Sequence, residues 1–255
     1  MKSKFNYDGI FKKKYYKTAS EGNKYFNREK VFSKITKFLN KKDNICEFGC
    51  GDGSKLMHLK EYVKEVHGFD ISKEAIKRAK KNVPSGKFFV SDNGKIFKEG
   101  QFDVTITIAT LEHVENPRKF LEEMIRVTKK GGYIIGYNPN FGSPLCPSPP
   151  VINGRNFLKK IIIVLARLYK YKKYYKNDIY KNVNPILDKK WQPDFDTTAE
   201  VSLESITRHY KKKIVYASSF WEPKPFLYFP FYMLSLLDIR PIKYWGFMCF
   251  FVIKK

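Results

Sequence analysis

The stretch from Ile45 to Asp70, ICEFGCGDGSKLMHLKEYVKEVHGFD, constrains the fold more than any other part of this chain. A short apolar run enters a loop with three glycines, a helix-permissive segment from Ser54 to about Glu65 follows, and a second apolar run ends on Asp70. This order is half of a nucleotide-binding βαβ unit. Glycines let the backbone turn sharply and come close to a ligand. The acid at the end of the second strand can accept hydrogen bonds from both hydroxyls of a ribose.

The spacing of the loop and its acids indicate the kind of ligand. A dinucleotide-binding loop reads G-x-G-x-x-G and places a pyrophosphate on the helix N-terminus. Here the glycines alternate as Gly49, Gly51 and Gly53, with Glu47 before the loop and Asp52 inside it. Two acids would repel a pyrophosphate and suit a cofactor with a cationic group. The spacing therefore disfavours a nicotinamide dehydrogenase.

The pattern E-x-G-C-G-x-G followed by a strand-end acid resembles the class I S-adenosylmethionine-dependent methyltransferases. A second match, FDV…LEHV…P…L…GG, indicates members with the LEHV motif and a methyltransferase type 11-like domain. Together the matches cover about residues 43–140. The resemblance implies an α/β fold: a Rossmann-like sheet of seven mostly parallel strands, an antiparallel last strand, and helices on both faces. It implies a methyltransferase enzyme with S-adenosylmethionine as cofactor, and it leaves the acceptor open.

The resemblance also implies roles for individual residues. The loop approaches the methionine part of the cofactor, Asp70 holds the ribose, and Ile71 with the Asp92-Asn93 turn holds the adenine. An Asp-Asn-Gly sequence is also good turn chemistry in its own right. The residues after the fourth strand close over the sulfonium. The predicted cofactor-binding residues are Glu47, Gly49, Cys50, Gly51, Gly53, Asp70, Ile71, Asp92, Asn93, Ala109 and Leu111.

His113, in the LEHV motif, is the candidate catalytic residue. An oxygen acceptor needs a base, and this histidine follows the fourth strand near the expected position of the methyl group. The alternative is that His113 caps or braces the loop. The four cysteines have no C-x-x-C pairing and no histidine at metal spacing, so no metal site is predicted.

Residue patterns predict where most elements lie. Apolar residues at three- and four-residue spacing indicate a helix over 23–41, and Ser72 is a good N-cap for the helix after Asp70. A further helix is predicted over 118–130, stopped by Gly131 and Gly132. Strands are predicted over 87–91, 102–109, 133–137, 213–220 and 245–254.

The chain reads as one methyltransferase domain, residues 1–255. We divide it into an N-terminal arm and helix (1–42), a cofactor-binding core (43–140), a basic insertion (141–193), and C-terminal strands with an aromatic cap (194–255). Within the insertion, 157–176 contains no acid. Its apolar residues Leu158, Ile161, Ile162, Leu165, Leu168 and Tyr169 share one helical face, with Lys159, Lys160, Arg167 and Lys170 largely off it. This helix suits an anionic membrane surface, nucleic acid, or packing over the active site.

The formal net charge is +24. It indicates an anionic partner or simply a surface of solvated lysines. The first residues lack the apolar core of a signal peptide, so we expect a cytoplasmic protein, peripheral at a membrane if 157–176 binds one. The leading hypothesis is methylation, on oxygen, of a small-molecule, glycan or lipid-linked acceptor. The alternatives are an RNA methyltransferase, disfavoured by scarce arginine, and a non-catalytic partner subunit with the same fold.

Overall fold

The computed structural model describes residue 23 and residues 25–91, 95–186, 194–221, 233–234, 239 and 242–255. The predictions for the N-terminal arm over 1–22, for Asp92 and Asn93, and for most of the aromatic segment 221–237 lie outside these residues. Among the described residues, no helix is both long and apolar enough to cross a membrane.

Seven strands form the main sheet, in the order β3-β2-β1-β4-β5-β9-β8. Strands β1 to β5 run parallel, whereas β9 runs antiparallel to both β5 and β8. This arrangement confirms the predicted fold class, including the antiparallel last strand beside the fifth. The strands are β1 (Asn44–Phe48), β2 (Glu65–Asp70), β3 (Lys87–Val90), β4 (Phe102–Ile108), β5 (Thr128–Pro139), β8 (Ile214–Phe220) and β9 (Met248–Lys254).

A second, two-stranded sheet pairs β6 (Tyr180–Asn182) with β7 (Ala199–Val201). The helices are α1 (Lys30–Thr36), α2 (Ser54–Leu59), α3 (Lys73–Asn82), α4 (Pro117–Val127), α5 (Pro149–Ile152), α6 (Phe157–Tyr174) and α7 (Leu203–His209). Short 3-10 turns lie at Phe26–Arg28, Lys60–Tyr62, Leu111–His113 and Ile242–Tyr244.

Helices cover both faces of the main sheet, because its strands are apolar on both sides. On one face, Ile45 of β1 belongs to a core that includes Ile35 of α1 and Leu56 of α2. On the other face, Phe48 of β1 belongs to a core with Leu121 of α4. Parallel strands buried on both faces read as nearly continuous apolar runs, as β4 does. Because β1 to β5 run parallel, their carboxyl ends meet at one edge of the sheet, where the glycine loop lies.

Two predicted helix boundaries were wrong in part. The helix over 23–41 is reduced to α1 because the backbone at Glu29 is extended, which separates the 3-10 turn from the helix. Most of the predicted apolar stripe is confirmed, since Val31, Phe32 and Ile35 are buried, but Tyr25 at its start is 51% exposed. The segment after the glycine loop is helical only to Leu59 and continues as a 3-10 turn.

The prediction that Gly131 and Gly132 stop the fourth helix was also wrong. Helix α4 ends at Val127, where the Thr128 hydroxyl donates to the carbonyl of Met124 at 2.7 Å and the chain enters β5. The register between β4 and β5 shifts at this point, so extra residues of β5 are accommodated in an irregularity. The two glycines belong to that irregularity within the strand.

Candidate cofactor and acceptor site

The glycine loop is fastened to the end of β2. The N–H groups of Gly49 and of the next residue both donate to the carbonyl of Phe69 at 3.0 Å. The Gly51 N–H donates to Asp70 Oδ2 at 3.0 Å, and the Ser72 N–H donates to Oδ1 at 2.9 Å. Both oxygens of Asp70 are thus oriented by backbone, and a carboxylate with four lone-pair sites still has acceptor capacity for a ligand.

The first two loop glycines have left-handed backbone for different reasons. Gly49 has φ +75°, and a Cβ there would overlap the side chain of Thr110. Gly51 has φ +53°, and a Cβ there would meet nothing within 4 Å. Left-handed backbone favours glycine at both. Gly49 therefore allows the loop to pack against the end of β4, while Gly51 presents its backbone to open space.

Cys50 contributes to this loop through its backbone. Its side chain is buried in the core beneath the loop, and burial raises the pKa of its thiol well above the ordinary value. A Cβ at Gly68 of β2 would collide with that side chain. The residue thus packs β1 against β2 and leaves a neutral thiol.

Glu47 is a buried acid without a partner. It is fully buried at the end of β1, and neither carboxylate oxygen accepts a hydrogen bond from a described residue. Burial raises the pKa of Glu47 to about 8, although the charge of Lys55 acts in the opposite direction. An unpaired buried carboxyl is costly, so this position suits a ligand that brings a donor or a positive charge.

The turn after β4 forms the other side of the site. Ala109 has a left-handed φ of +52°, and its N–H donates to the carbonyl of Tyr137 at 2.9 Å. Asn138 Oδ1 accepts from the N–H groups of Thr110 at 2.9 Å and Leu111 at 3.1 Å. Sequence reasoning gave Asn138 no role, although its buried side chain sets the path of this turn. The left-handed backbone of Ala109 is strained for a residue other than glycine, and strain of this kind is typical of functional sites.

The structure thus brings together most of the predicted cofactor residues. The Thr110 hydroxyl donates to the carbonyl of Gly49 at 3.3 Å, which joins the turn after β4 to the glycine loop. Ala109 is exposed beside the loop, whereas Leu111 is fully buried and supports the turn from beneath. Ile71 is 37% exposed next to Asp70. Asp92 and Asn93 lie outside the described residues, so their adenine role stays a prediction.

His113 lies between carboxylates in the 3-10 turn after β4. Its Nδ1 lies 3.3 Å from Asp196 Oδ2, and its Nε2 lies 3.7 Å from Glu112 Oε1. The Asp194 carboxylate completes the cluster, because one atom each of Glu112, His113 and Asp194 lie within 4.8 Å of one another. Sequence reasoning missed these acids. The D-x-D spacing of Asp194 and Asp196 was the one available signal.

The cluster shifts the ionisation of its members. Burial raises the pKa of Glu112 to about 7, with His113 acting against the rise. For His113, burial alone lowers the pKa, but Asp196, Glu112 and Asp194 together outweigh it, so the pKa is raised. An imidazole among carboxylates can exchange protons with them, and this set of nitrogen and oxygen atoms also matches the ligands of a divalent cation.

Comparison with known proteins agrees with this geometry. Residues 46–136 match a family described as a methyltransferase domain. Over these residues the chain is similar to that family. The matched residues begin in β1 and end in β5, so they include the glycine loop, Asp70 and His113. The match covers the part of the sheet that carries the candidate site.

Relatives and solved structures extend the comparison. Over 103 residues, the chain is 34% identical to norajmaline N-methyltransferase from Rauvolfia serpentina, covering 37% of this chain and 35% of that protein. Over 96 residues, it is 33% identical to 2-methyl-6-phytyl-1,4-hydroquinone methyltransferase from a Synechocystis strain, covering 36% and 30%. The chain thus spans about a third of the length of these relatives. In fold, it resembles a SAM-dependent methyltransferase from Thermotoga maritima, with a TM-score of 0.54, 16% identity, and coverage of 97% and 100%.

Proposed function

We propose that this protein transfers a methyl group from S-adenosylmethionine to an oxygen atom of a small-molecule, glycan or lipid-linked acceptor. The observation that carries the proposal is the way backbone N–H groups hold the carboxylate of Asp70 beside the glycine loop. Gly51 and Ser72 donate to the two oxygens of Asp70, beside the unpaired carboxyl of Glu47. The names of the relatives support a small-molecule acceptor, since one is a norajmaline N-methyltransferase and the other a 2-methyl-6-phytyl-1,4-hydroquinone methyltransferase.

The residues present fit this cofactor. Neither oxygen of Glu47 has a hydrogen-bond partner among the described residues, and an ammonium group of the bound amino acid part would supply one. Gly51 leaves open space in front of its backbone, so a ligand can approach there. Asp70 keeps acceptor capacity for ribose hydroxyls, and charge-assisted hydrogen bonds of this kind contribute roughly 1.5–3 kcal/mol each. A pyrophosphate would instead meet the acids Asp52 and Asp70 and would bring no donor to the buried carboxyl of Glu47.

The bound cofactor supplies an electrophilic methyl group on a positively charged sulfur. The residues of this chain then have three tasks: to bind, to align and to exclude water. Asp70 holds the ribose, the glycine loop approaches the methionine part, and the turn from Ala109 to Leu111 covers the reacting end. Good alignment alone contributes roughly 7–11 kcal/mol to lowering a barrier.

His113 is proposed as the base that takes the proton from an acceptor hydroxyl. Its side chain is 17% exposed, so an acceptor can approach it, and Asp196 holds the ring from the Nδ1 side. The pKa of His113 is raised, so the neutral imidazole that a base requires forms at higher pH than for an ordinary histidine. In this role Asp196 is a positioning residue, and it also stabilises the charged ring after proton transfer.

The test is transfer of a labelled methyl group from S-adenosylmethionine to hydroxylated phenols, sugars and lipid-linked sugars. We expect turnover with one acceptor class and a large loss of kcat in His113→Ala, with KM for the cofactor unchanged. His58→Ala is the matched control, because His58 lies in α2, where its ring faces that of Phe26 at 6.4 Å rather than a carboxylate. Undiminished turnover of His113→Ala at saturating substrate would rule out the base role.

A further inference from the structure

Helix α6 presents an apolar face to solvent. Leu158, Ile162, Leu165 and Tyr169 are 69%, 62%, 59% and 89% exposed. The sequence predicts these residues as one stripe, and a helix in a soluble domain normally turns such a stripe inward. Here the stripe is turned outward. Contiguous exposed apolar residues are typical of binding surfaces rather than of ordinary protein surface.

The opposite side of α6 explains this orientation. Arg167, expected on the polar face with the lysines, is instead buried. It donates to Glu200 Oε2 at 2.6 Å, to the carbonyl of Ser143 at 2.8 Å and to the carbonyl of Phe141. Tyr171, one turn further along, is also buried and its hydroxyl lies 2.8 Å from that of Ser202. These anchors hold the helix with its apolar stripe outward.

The same anchors connect α6 to the candidate acceptor site. Glu200 lies in β7, and Arg167 pairs with it from α6. The chain just before β7 bonds to the histidine turn, because the Thr198 N–H donates to the carbonyl of Glu112 at 2.8 Å. The orientation of α6 is therefore fixed relative to His113. Whatever covers the apolar stripe is held in a defined position relative to the site.

We propose that this face of α6 docks on an anionic membrane surface and presents the acceptor site to a lipid-linked acceptor. Charge complementarity selects this occupant. The segment 157–176 carries lysines and no acid, within a chain of net charge +24. Apolar residues entering the interface beside lysines that face anionic headgroups are typical of helices that lie on a membrane. The acceptor class rests on the proposed function, whereas docking itself does not.

The first experiment is sedimentation of the 255-residue protein with vesicles of phosphatidylcholine alone or with added phosphatidylglycerol. We expect binding to the anionic vesicles that weakens as salt is raised, and little binding to the neutral ones. Ile162→Glu should reduce binding about tenfold or more, since it removes a large apolar side chain and adds a charge. Val215→Glu is the matched control, because Val215 is a 50% exposed apolar residue on the edge strand β8.

A second pair of variants separates location from net charge. Lys159→Gln with Lys173→Gln removes two charges that flank the stripe of α6, and Lys80→Gln with Lys81→Gln removes two from α3, where both lysines are exposed. Each lysine near an anionic surface contributes about fivefold to binding. We therefore expect a larger loss for the α6 pair. Equal losses would mean non-specific attraction and would overturn the proposal.

Two other occupants of the stripe give different results. If another part of this chain covers it, Ile162→Glu lowers the melting temperature while Val215→Glu does not. If a second copy covers it, Ile162→Glu changes the mass measured by light scattering. Either result, or no binding to anionic vesicles, overturns the proposal. Titration with S-adenosylhomocysteine keeps the two proposals apart, because a protein that binds this ligand and no vesicle refutes docking alone.

Discussion

Glu47→Gln should make the free energy of unfolding depend less on pH. Glu47 is fully buried, no described residue hydrogen-bonds to its carboxyl, and burial raises its pKa to about 8 from the ordinary value of 4.5. Between these two pH values the folded protein keeps a proton that the unfolded chain has lost. The free energy of unfolding therefore falls as pH rises through this window, and the loss is complete above the folded pKa.

The size of the effect follows from the shift. One pKa unit corresponds to about 1.4 kcal/mol, so the wild-type protein should lose up to about 1.4 kcal/mol per pH unit, and about 5 kcal/mol over the whole window. Glutamine has the shape of glutamic acid and does not ionise. The stability of the variant relative to the wild type should therefore grow steadily from pH 5 to pH 8.

The assay is urea unfolding followed by tryptophan fluorescence at pH 5, 6, 7 and 8, without cofactor. Glu61→Gln is the control, since the Glu61 side chain is 73% exposed and the substitution removes the same charge from the surface. The reasoning is refuted if the difference between Glu47→Gln and the wild type stays constant with pH, within about 0.5 kcal/mol.

Three further variants test other contacts. Asp196→Asn should shift the acid limb of kcat against pH to lower pH, because this carboxylate raises the pKa of His113; an unmoved limb contradicts the pairing. Arg167→Met should lower the free energy of urea unfolding by about 3–5 kcal/mol, since Glu200 stays buried without its partner. Adding Glu200→Gln to this variant should restore part of the lost free energy. A loss much smaller than about 3 kcal/mol in Arg167→Met alone would contradict this prediction. Gly49→Ala should lower the free energy of unfolding by at least about 1–2 kcal/mol, because alanine is strained at a φ of +75°. An unchanged midpoint of urea unfolding would contradict this prediction.

Local sequence was sufficient to predict the geometry of the glycine loop and of the strand that ends at Asp70. The path from β1 through the glycine loop to Asp70 is continuous in sequence, and its geometry depends on glycine conformation and on a strand-end acid. Ser72 caps α3 as predicted, since its side chain accepts from the Ala75 N–H. These features are determined by residues within a few positions of one another, so a sequence pattern can identify them.

The acceptor half depends on contacts between distant residues. Asp196 approaches His113, and Arg167 pairs with Glu200, only because the chain after β5 returns across the end of the sheet. Periodicity correctly placed Arg167 off the apolar stripe of α6, but it could not show which side of that helix the protein buries. The end of α4 was misplaced for a related reason, because the glycines lie in a strand irregularity that depends on pairing with β4.

The most direct test of the central claim is calorimetric titration of the purified protein with S-adenosylhomocysteine, with NAD as the control ligand. The account predicts saturable binding of S-adenosylhomocysteine, none of NAD, and a large loss of affinity in Asp70→Ala with the folded structure retained by circular dichroism. Binding of NAD instead, or undiminished affinity in Asp70→Ala, would contradict the assignment of Asp70 and the glycine loop to the cofactor.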